Sequence, residues 1–340
     1  MIPEVPRVAV LMSSYNGENY IEEQIDSILR QKGVQVDLYV RDDCSTDSTR
    51  QILRRYAKEG KLTFIEGKEN LRPGRSFMEI LYTVASVGGY EYYAFADQDD
   101  IWLEEKLLRA VSKIESIGVQ TGNSVACGNR NMVKNGIDIG YGGGGEIPAL
   151  YCSNLTIFKD GHKQGLRFDK PPNLDIASLI SKNQCCGCTF LINGKLADLI
   201  IKQPIPPERI LKYCNHDAWI LYVGTIAGVI YYDHESHILY RIHDANTVGI
   251  REVTAADVFG RFIRQITGKS DRANIRMDRA RLLLNYYPNV KPDIKSLLEK
   301  YAFYKRSFKD KKALWDDKEL IKSSGENAFV FKVKIFLNFI

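Results

Sequence analysis

"YYAFADQDDIW", residues 92–102, ends an apolar run on three carboxylates within four positions, Asp97, Asp99 and Asp100. Like charges this close repel. Grouping them carries an electrostatic cost unless a cation, a hydrogen-bond network or a following helix offsets it. Two readings stay open at this point, helix capping and a metal site. In both, the apolar half reads as a buried strand, and the segments around it decide which sheet that strand enters.

Upstream, "RVAVLMSSY" (7–15) is a short apolar run bounded by turn residues, and "ENYIEEQIDSILRQ" (18–31) then sets Ile21, Ile25, Ile28 and Leu29 at helical spacing. "VDLYVRDD" and "DSTRQILRRYAKEG" repeat the strand and helix, with Ser45 or Asp47 available as N-cap and Gly60 as the stop. "KLTFIEG", the helical "RSFMEILYTVASVGG", the strand "YEYYAFAD" and the helical "LEEKLLRAVSKIESIG" complete four units. Strands alternating with helices predict a parallel, helix-covered sheet with right-handed crossovers. Ligands bind such sheets beyond the carboxyl ends of the strands, where strand order reverses. An order 3-2-1-4 places Tyr15, Asp43, Asp97 and Asp99 around one crevice.

From about 118 to 250 the pattern loosens. "YGGGGEIP" (141–148), "FDKPPNLD" and "IKQPIPPERI" read as loops, and the region among them is expected to add strands and a helix to the sheet. Beyond 251, "DVFGRFIRQI", "DRANIRMDRARLLLNYY" and "PDIKSLLEKYAFYKRSF" read as helices. The domain reading is therefore 1–250 for the sheet-containing part and 251–340 for a basic, mainly helical C-terminal segment.

A chain of 340 residues, 44% hydrophobic and 26% charged, is globular and long enough for one large or two ordinary domains. The start "MIPEVPRVAVLMSSYNG" has the pattern of neither a signal peptide nor a membrane span, which would need about 18 apolar residues, so a cytoplasmic location is expected. The seven cysteines then stay reduced. Cys185 and Cys188 have C-x-x-C spacing, but their apolar surroundings and the lack of a second ligand pair favour buried structural thiols over zinc or redox chemistry.

The net charge of +5 is unevenly placed, since residues 251–340 carry 20 Lys and Arg against 11 Asp and Glu. Basic residues interleaved with aromatics, as in "EKYAFYKRSFKDKKALW" and "FVFKVKIFLNFI", suit an anionic membrane surface. An ordinary amphipathic helical subdomain with a solvated basic face, open to homodimer contact, fits them equally. Nucleic acid fits less well.

The ligand can be narrowed by elimination. "SSYNGENY" lacks the G-x-G-x-x-G of a dinucleotide fold, and G-x-x-x-x-G-K-[ST] appears nowhere. Without a glycine-rich phosphate cradle, a nucleotide diphosphate needs a divalent cation, and Mg²⁺ or Mn²⁺ is held by one or two carboxylates plus phosphate oxygens. "DQDD" can supply them.

Taken together, "SSYNGENYIEEQIDSIL", "RDDCSTDST", "ADQDD", "NHDAW" and "YRIHDANTVG" resemble the inverting family 2 glycosyltransferases of GT-A fold, especially bacterial polysaccharide rhamnosyltransferases, over roughly residues 5–250. The resemblance implies a Rossmann-like mixed sheet, the nucleotide-diphospho-sugar transferase fold, followed by a helical C-terminal segment. It implies that Ser13 and Tyr15 line the base pocket, that Asp43 accepts from the pyrimidine imide, and that Asp97 lies by the ribose with Gln98 beside it. Asp99 becomes the ligand of Mn²⁺ or Mg²⁺, with His243 a further ligand, and Arg241 part of a loop closing over the diphosphate. Asp217 matches the general base. Gly187, Cys188 and Thr189 fall on the acceptor side. Asp100 is read as the cap of the next helix and Trp102 as packing, while Arg72 and Arg75 are candidates for ribose or phosphate contact.

The implied activity is inverting and metal-dependent, and non-processive because no Q-x-x-R-W motif is present. The implied donor is a nucleotide sugar, dTDP-L-rhamnose ahead of a UDP-sugar, and the acceptor a lipid-linked glycan at the inner face of the plasma membrane. Two other classes remain open from the residues alone. One is a sugar-nucleotide pyrophosphorylase, whose usual glycine-rich N-terminal loop "SSYNGENY" does not match; the other is a non-catalytic nucleotide-sugar-binding protein.

Overall fold

The computed structural model describes residues 5–121, 132–135, 147–183, 185–243 and 272–340. The predicted helix at 257–266 and residues 141–146 of the glycine-rich segment lie outside them. The described residues fall into two compact units, 5–121, 132–135, 147–172 and 185–242 in the first, and 173–183, 243 and 272–340 in the second.

The first unit opens with the predicted alternation: β1 (Arg7–Ser14), α1 (Ile21–Leu29), β2 (Gln35–Asp42), α2 (Thr49–Lys58), β3 (Thr63–Glu66), α3 (Arg72–Val87), β4 (Tyr92–Ala96), β5 (Ile101–Trp102) and α4 (Lys106–Thr121). β3, β2, β1 and β4 lie side by side in that order, all parallel, as the strand-order argument required. Val8 to Met12 on β1 are completely buried on both faces, which is why this run is continuously apolar instead of alternating.

Beyond β4 the sheet turns mixed. After β6 (Met132–Asn135) come β7 (Ala149–Lys159), β8 (His162–Leu166), α5 (Ile176–Ser181), a single 3₁₀ turn (Gly187–Thr189), β9 (Leu191–Asn193), α6 (Gly194–Ile201), α7 (Glu208–Ala227) and β10 (Gly228–Arg241). β9 is antiparallel to both β4 and β7, β10 is parallel to β7, and β5 closes the path antiparallel to β10. The short "IW" strand thus leaves the β4 edge and joins the far side of the sheet, burying Trp102 as packing.

The second unit is helical. It combines α5, drawn from inside the range read as the sheet-containing part, with α8 (Ile275–Tyr286), α9 (Pro292–Phe303), α10 (Phe308–Trp315), α11 (Lys318–Ser323) and α12 (Ala328–Phe336). Leu283, Leu298, Tyr301, Leu314, Phe331 and Ile335 are its core, completely buried. Side-chain oxygens of Ser307, Asp317 and Asn327 cap α10, α11 and α12, so each short helix is started by its own sequence. No helix among the described residues is long and apolar enough to cross a membrane.

Candidate active site

The ends of β1 and β4 meet through Gln98. Its Nε2 donates to the Tyr15 carbonyl at 3.0 Å and its Oε1 accepts from the Tyr15 N–H at 2.9 Å. Gly17 packs so close to this amide that a Cβ there would lie 2.3 Å from Oε1. Tyr15 itself is exposed, while Ser13 is half-buried with its Oγ donating to Ser76 Oγ at 2.7 Å, so of the two residues read as lining a base pocket Tyr15 is the more open to solvent.

Asp43 follows β2 and is buried. It pairs with Arg41 and accepts the N–H groups of Leu71 and Arg72 at 2.8 Å each. A carboxylate offers about four lone-pair positions, so one is left for an imide donor. Arg72 stands exposed at the start of α3, while Arg75 is held by Glu79 at 2.7 Å.

The carboxylates of residues 97–100 do not sit alike. Asp97 and Asp99 are half-buried, and Asp100 is completely buried. Asp100 Oδ1 accepts from the Arg241 N–H at 3.2 Å, and Oδ2 has no hydrogen-bond partner among the described residues. The cap reading of Asp100 fails, because α4 begins only at Lys106, beyond β5. Burial, with the charges of Asp99 and Asp217 adding to it, pushes Asp97 up to about 7, and burial next to Asp99 and Asp97 raises Asp100 well above the ordinary carboxylate range.

Helix α1 and the turn just after it hold this loop with a polar stripe that the apolar pattern of the helix conceals. Gln24 Nε2 donates to the Asp97 carbonyl at 2.9 Å, Ser27 Oγ accepts the Trp102 N–H at 3.0 Å, and Gln31 donates to the Leu103 carbonyl and accepts the Leu107 N–H. These residues recur at i, i+3 and i+7 on the buried side. Buried polar groups at helical spacing are the signal that could have found them.

Arg241 ends β10. Its Nε donates to the Asp99 carbonyl at 2.9 Å, its guanidinium pairs with Glu23 at 2.5 Å, and it lies 5.0 Å from the Tyr20 ring. It therefore braces the carboxylate loop against α1. His243 belongs to the second unit, where it is half-buried.

Asp217 owes its position to a break in α7. Asn215 has φ 53° and ψ −177°, so the helix is interrupted and restarts just before Asp217, whose Oδ1 accepts the Ala218 N–H at 2.7 Å. The restarted helix presents its positive end to this carboxylate. Gly74 of α3 fits against the break, where a Cβ would lie 2.9 Å from the Leu211 carbonyl oxygen. His216 stacks on Phe77 with centroids 3.9 Å apart; both its ring nitrogens lack partners among the described residues, and burial lowers it to about 3.

The 3₁₀ turn joins the two groups of carboxylates. A Cβ on Gly187 would lie 2.7 Å from His216 Nε2 and 2.9 Å from Asp217 Cβ, so only glycine lets the turn reach α7 without displacement. Its neighbour Cys188 brings its Sγ within 4.8 Å of a carboxylate oxygen of both Asp97 and Asp100. Thr189 is completely buried, and its hydroxyl donates to the Cys186 carbonyl at 2.8 Å. Its polarity closes the turn and is not presented to a sugar. Cys185 instead faces Cys152, Sγ to Sγ 3.9 Å, so the C-x-x-C spacing does not make a pair, and no disulfide joins any of the described cysteines.

Asp97, Asp100 and Cys188 form a group whose ligand atoms lie within 4.8 Å of one another. The donor set suits a hard dication through its two carboxylates, one of which has an orphaned buried oxygen. Cys188 is a soft donor, and burial beside Asp100 and Asp97 keeps its thiol protonated.

Residues 9–170 match the family model described as Glycosyl transferase family 2. They are a family 2 glycosyltransferase domain. A dTDP-rhamnosyl transferase, RfbG of Shigella flexneri, is 28% identical over 252 residues, covering 70% of this chain and 73% of the relative. The UDP-Glc:alpha-D-GlcNAc-diphosphoundecaprenol beta-1,3-glucosyltransferase WfgD of Escherichia coli is 31% identical over 129 residues, 37% of this chain and 49% of its own. The crystal structure of S. aureus TarS 1–349 in complex with UDP-GlcNAc superposes with a TM-score of 0.54 at 15% identity, covering 97% of this chain and 81% of TarS. The fold is that of the GT-A nucleotide-sugar transferases. All the residues brought together here, from Ser13 to Arg241, lie in the sheet unit that contains the family 2 domain and its continuation.

Proposed function

We propose that the chain is an inverting, metal-dependent, non-processive glycosyltransferase that moves a sugar from a nucleotide diphosphate donor to a lipid-linked glycan in bacterial surface polysaccharide synthesis. The observation that carries the reading is the convergence of the 97–100 carboxylates and Asp217 through the Gly187–Thr189 turn. dTDP-L-rhamnose is the favoured donor because RfbG, one of the relatives with broad coverage, is named a dTDP-rhamnosyl transferase, and a UDP-sugar is the alternative. The lipid-linked acceptor follows the name of WfgD, which transfers to a diphosphoundecaprenol-linked sugar. Such an acceptor places the protein at the cytoplasmic face of the membrane.

Asp217 is the base. It takes the proton of the acceptor hydroxyl while that oxygen forms its bond to the anomeric carbon, the bond from that carbon to the diphosphate oxygen breaks, and its electron pair leaves with the diphosphate. A single displacement inverts the anomeric centre, so a β-L-rhamnosyl donor gives an α product. One carboxylate base suffices because a diphosphate departs without protonation, unlike the leaving group in glycoside hydrolysis. Asp97, Asp99 and Asp100 are the side chains that would hold Mn²⁺ or Mg²⁺, which supplies charge stabilisation to the leaving diphosphate. Gln98 fixes Tyr15 beside the nucleotide, and Arg241 holds the carboxylate loop in place.

The test is turnover of dTDP-L-rhamnose and UDP-sugars with Mn²⁺ and a lipid-diphosphate-linked acceptor, with the product anomer read by NMR. Asp217→Asn is expected to lower kcat by about 10² to 10⁴ while nucleotide still binds. Near-normal turnover in folded Asp217→Asn, or a product retaining the donor's configuration, overturns the assignment.

A further inference from the structure

The C-terminal helices carry a surface that the transferase chemistry does not use. Phe308 is 83% exposed, Phe329 75% and Phe336 68%, the most exposed aromatic side chains among the described residues. All three lie on α10 and α12.

Two contacts fix how these helices lie together. Lys311 of α10 donates from Nζ to the Phe336 carbonyl at 2.8 Å and stands 5.7 Å from the Phe336 ring; Lys332 of α12 stands 5.3 Å from the Trp315 ring. Position rises along one helix as it falls along the other, so the pair is antiparallel. Phe308, Lys311 and Trp315 recur at i, i+3 and i+7 on α10, and Phe329, Lys332 and Phe336 do so on α12. Residues at that spacing share a face. The two contacts set the faces edge to edge, giving one strip of aromatic rings with lysines among them.

Charge completes the description. Residues 301–340 hold nine Lys and Arg against five Asp and Glu. Asp310, Asp316, Asp317 and Glu326 are each engaged by a basic residue of the same unit, Arg306, Lys312, Lys300 and Arg276 respectively. The acidic groups are thus largely neutralised locally, and the excess is positive.

We infer that this strip is a docking surface for an anionic phospholipid bilayer, with Phe308, Phe329 and Phe336 entering the headgroup and acyl boundary and lysines around them meeting lipid phosphates. Exposed phenylalanines cost free energy in water and gain it at an interface, and each lysine near an anionic surface adds to the binding. The inference deepens the proposal of a lipid-linked acceptor by naming the surface that would bring the enzyme to it. Its evidence is independent of the transferase site.

The test is cosedimentation of the full chain with vesicles of phosphatidylcholine alone and of phosphatidylcholine and phosphatidylglycerol in equal parts. Binding is expected to the anionic vesicles and to fall with salt. The triple variant Phe308→Ser, Phe329→Ser, Phe336→Ser is expected to lose at least about tenfold in vesicle affinity, with an unchanged circular dichroism spectrum and unchanged turnover of a water-soluble acceptor. Lys311→Gln with Lys332→Gln is expected to lose roughly fivefold per lysine and to flatten the salt dependence. Failure of the wild type to bind anionic vesicles, or equal binding by the triple variant, overturns the inference. So does a wild-type dimer by light scattering that the triple variant converts to monomer without any vesicle binding, because the strip is then an interface between copies. Each of these outcomes leaves the transferase proposal to its own assay.

Discussion

Gln98 and Tyr15 are joined in both directions, the amide of one closing two hydrogen bonds on the backbone of the other, across the point where strand order reverses. This pairing fixes the end of β1 relative to the end of β4 without using the Tyr15 ring, which stays exposed. Gln98→Ala is therefore expected to loosen the position of Tyr15 more than it loosens the fold. Two hydrogen bonds at a partly exposed site predict a stability loss of about 1 to 2 kcal/mol. Nucleotide affinity should weaken by roughly tenfold, since two such bonds no longer pre-order the pocket. Calorimetric titration with nucleoside diphosphate and a melting curve on one preparation check both; unchanged affinity with a lowered Tm would make Gln98 a purely structural residue.

Gly187 supplies a sharper test of the way the site is assembled. An added methyl would sit 2.7 Å from His216 Nε2 and 2.9 Å from Asp217 Cβ, and both neighbours belong to a packed helix that gives little. Gly187→Ala is expected to cost about 1 to 3 kcal/mol of stability and to move the Asp217 carboxylate. A base displaced by even a fraction of an ångström predicts a fall in kcat on the order of 10² with little change in donor affinity. Steady-state kinetics that show only a raised KM would contradict this account.

These two positions also show how far the sequence could be read. Alternating apolar runs and helical spacings placed β1 to β4 and their helices, because a buried parallel strand and an amphipathic helix each leave a periodic trace. The carboxylates at 97–100 were visible because charge rarely ends an apolar run without reason. Asp100 was misread as a cap, since local order favours the next helix, while in the fold β5 intervenes and pairs with β10, far away in sequence. The stripe of Gln24, Ser27 and Gln31 left no apolar trace, and its partners lie about 75 residues on. The break at Asn215 was equally hidden, because the left-handed φ of one asparagine changes no hydrophobic period.

Cation dependence can be examined without turnover. Asp97, Asp99 and Asp100 crowd three carboxylates where Asp100 Oδ2 has no partner among the described residues, so a dication that neutralises them should stabilise the folded chain by mass action. Mn²⁺ together with a nucleoside diphosphate is expected to raise Tm by several degrees, and a chelator to reverse it. At a ligand concentration about 100 times Kd the linked stabilisation is about 2.7 kcal/mol. Asp99→Asn and Asp100→Asn should each reduce the shift. An equal shift in both variants would remove these residues from the cation site.

His216 predicts a specific acid sensitivity. Its ring is buried between Phe77 and Phe95, neither nitrogen has a partner among the described residues, and burial lowers it from 6.5 to about 3. Between those values the unfolded chain binds a proton that the folded chain excludes. The group's contribution is therefore fully present above about pH 6.5 and is lost as pH falls towards 3, by about 1.4 kcal/mol per pH unit while the difference persists. His216→Phe keeps an aromatic ring against Phe77 and removes the titration. Denaturant melts of wild type and variant from pH 7 down to pH 4 should diverge, the variant losing less stability at each step. Parallel curves over that range would mean that His216 is reached by water or by a hydrogen-bond partner in solution, and the packing that seats Asp217 would have to be redrawn.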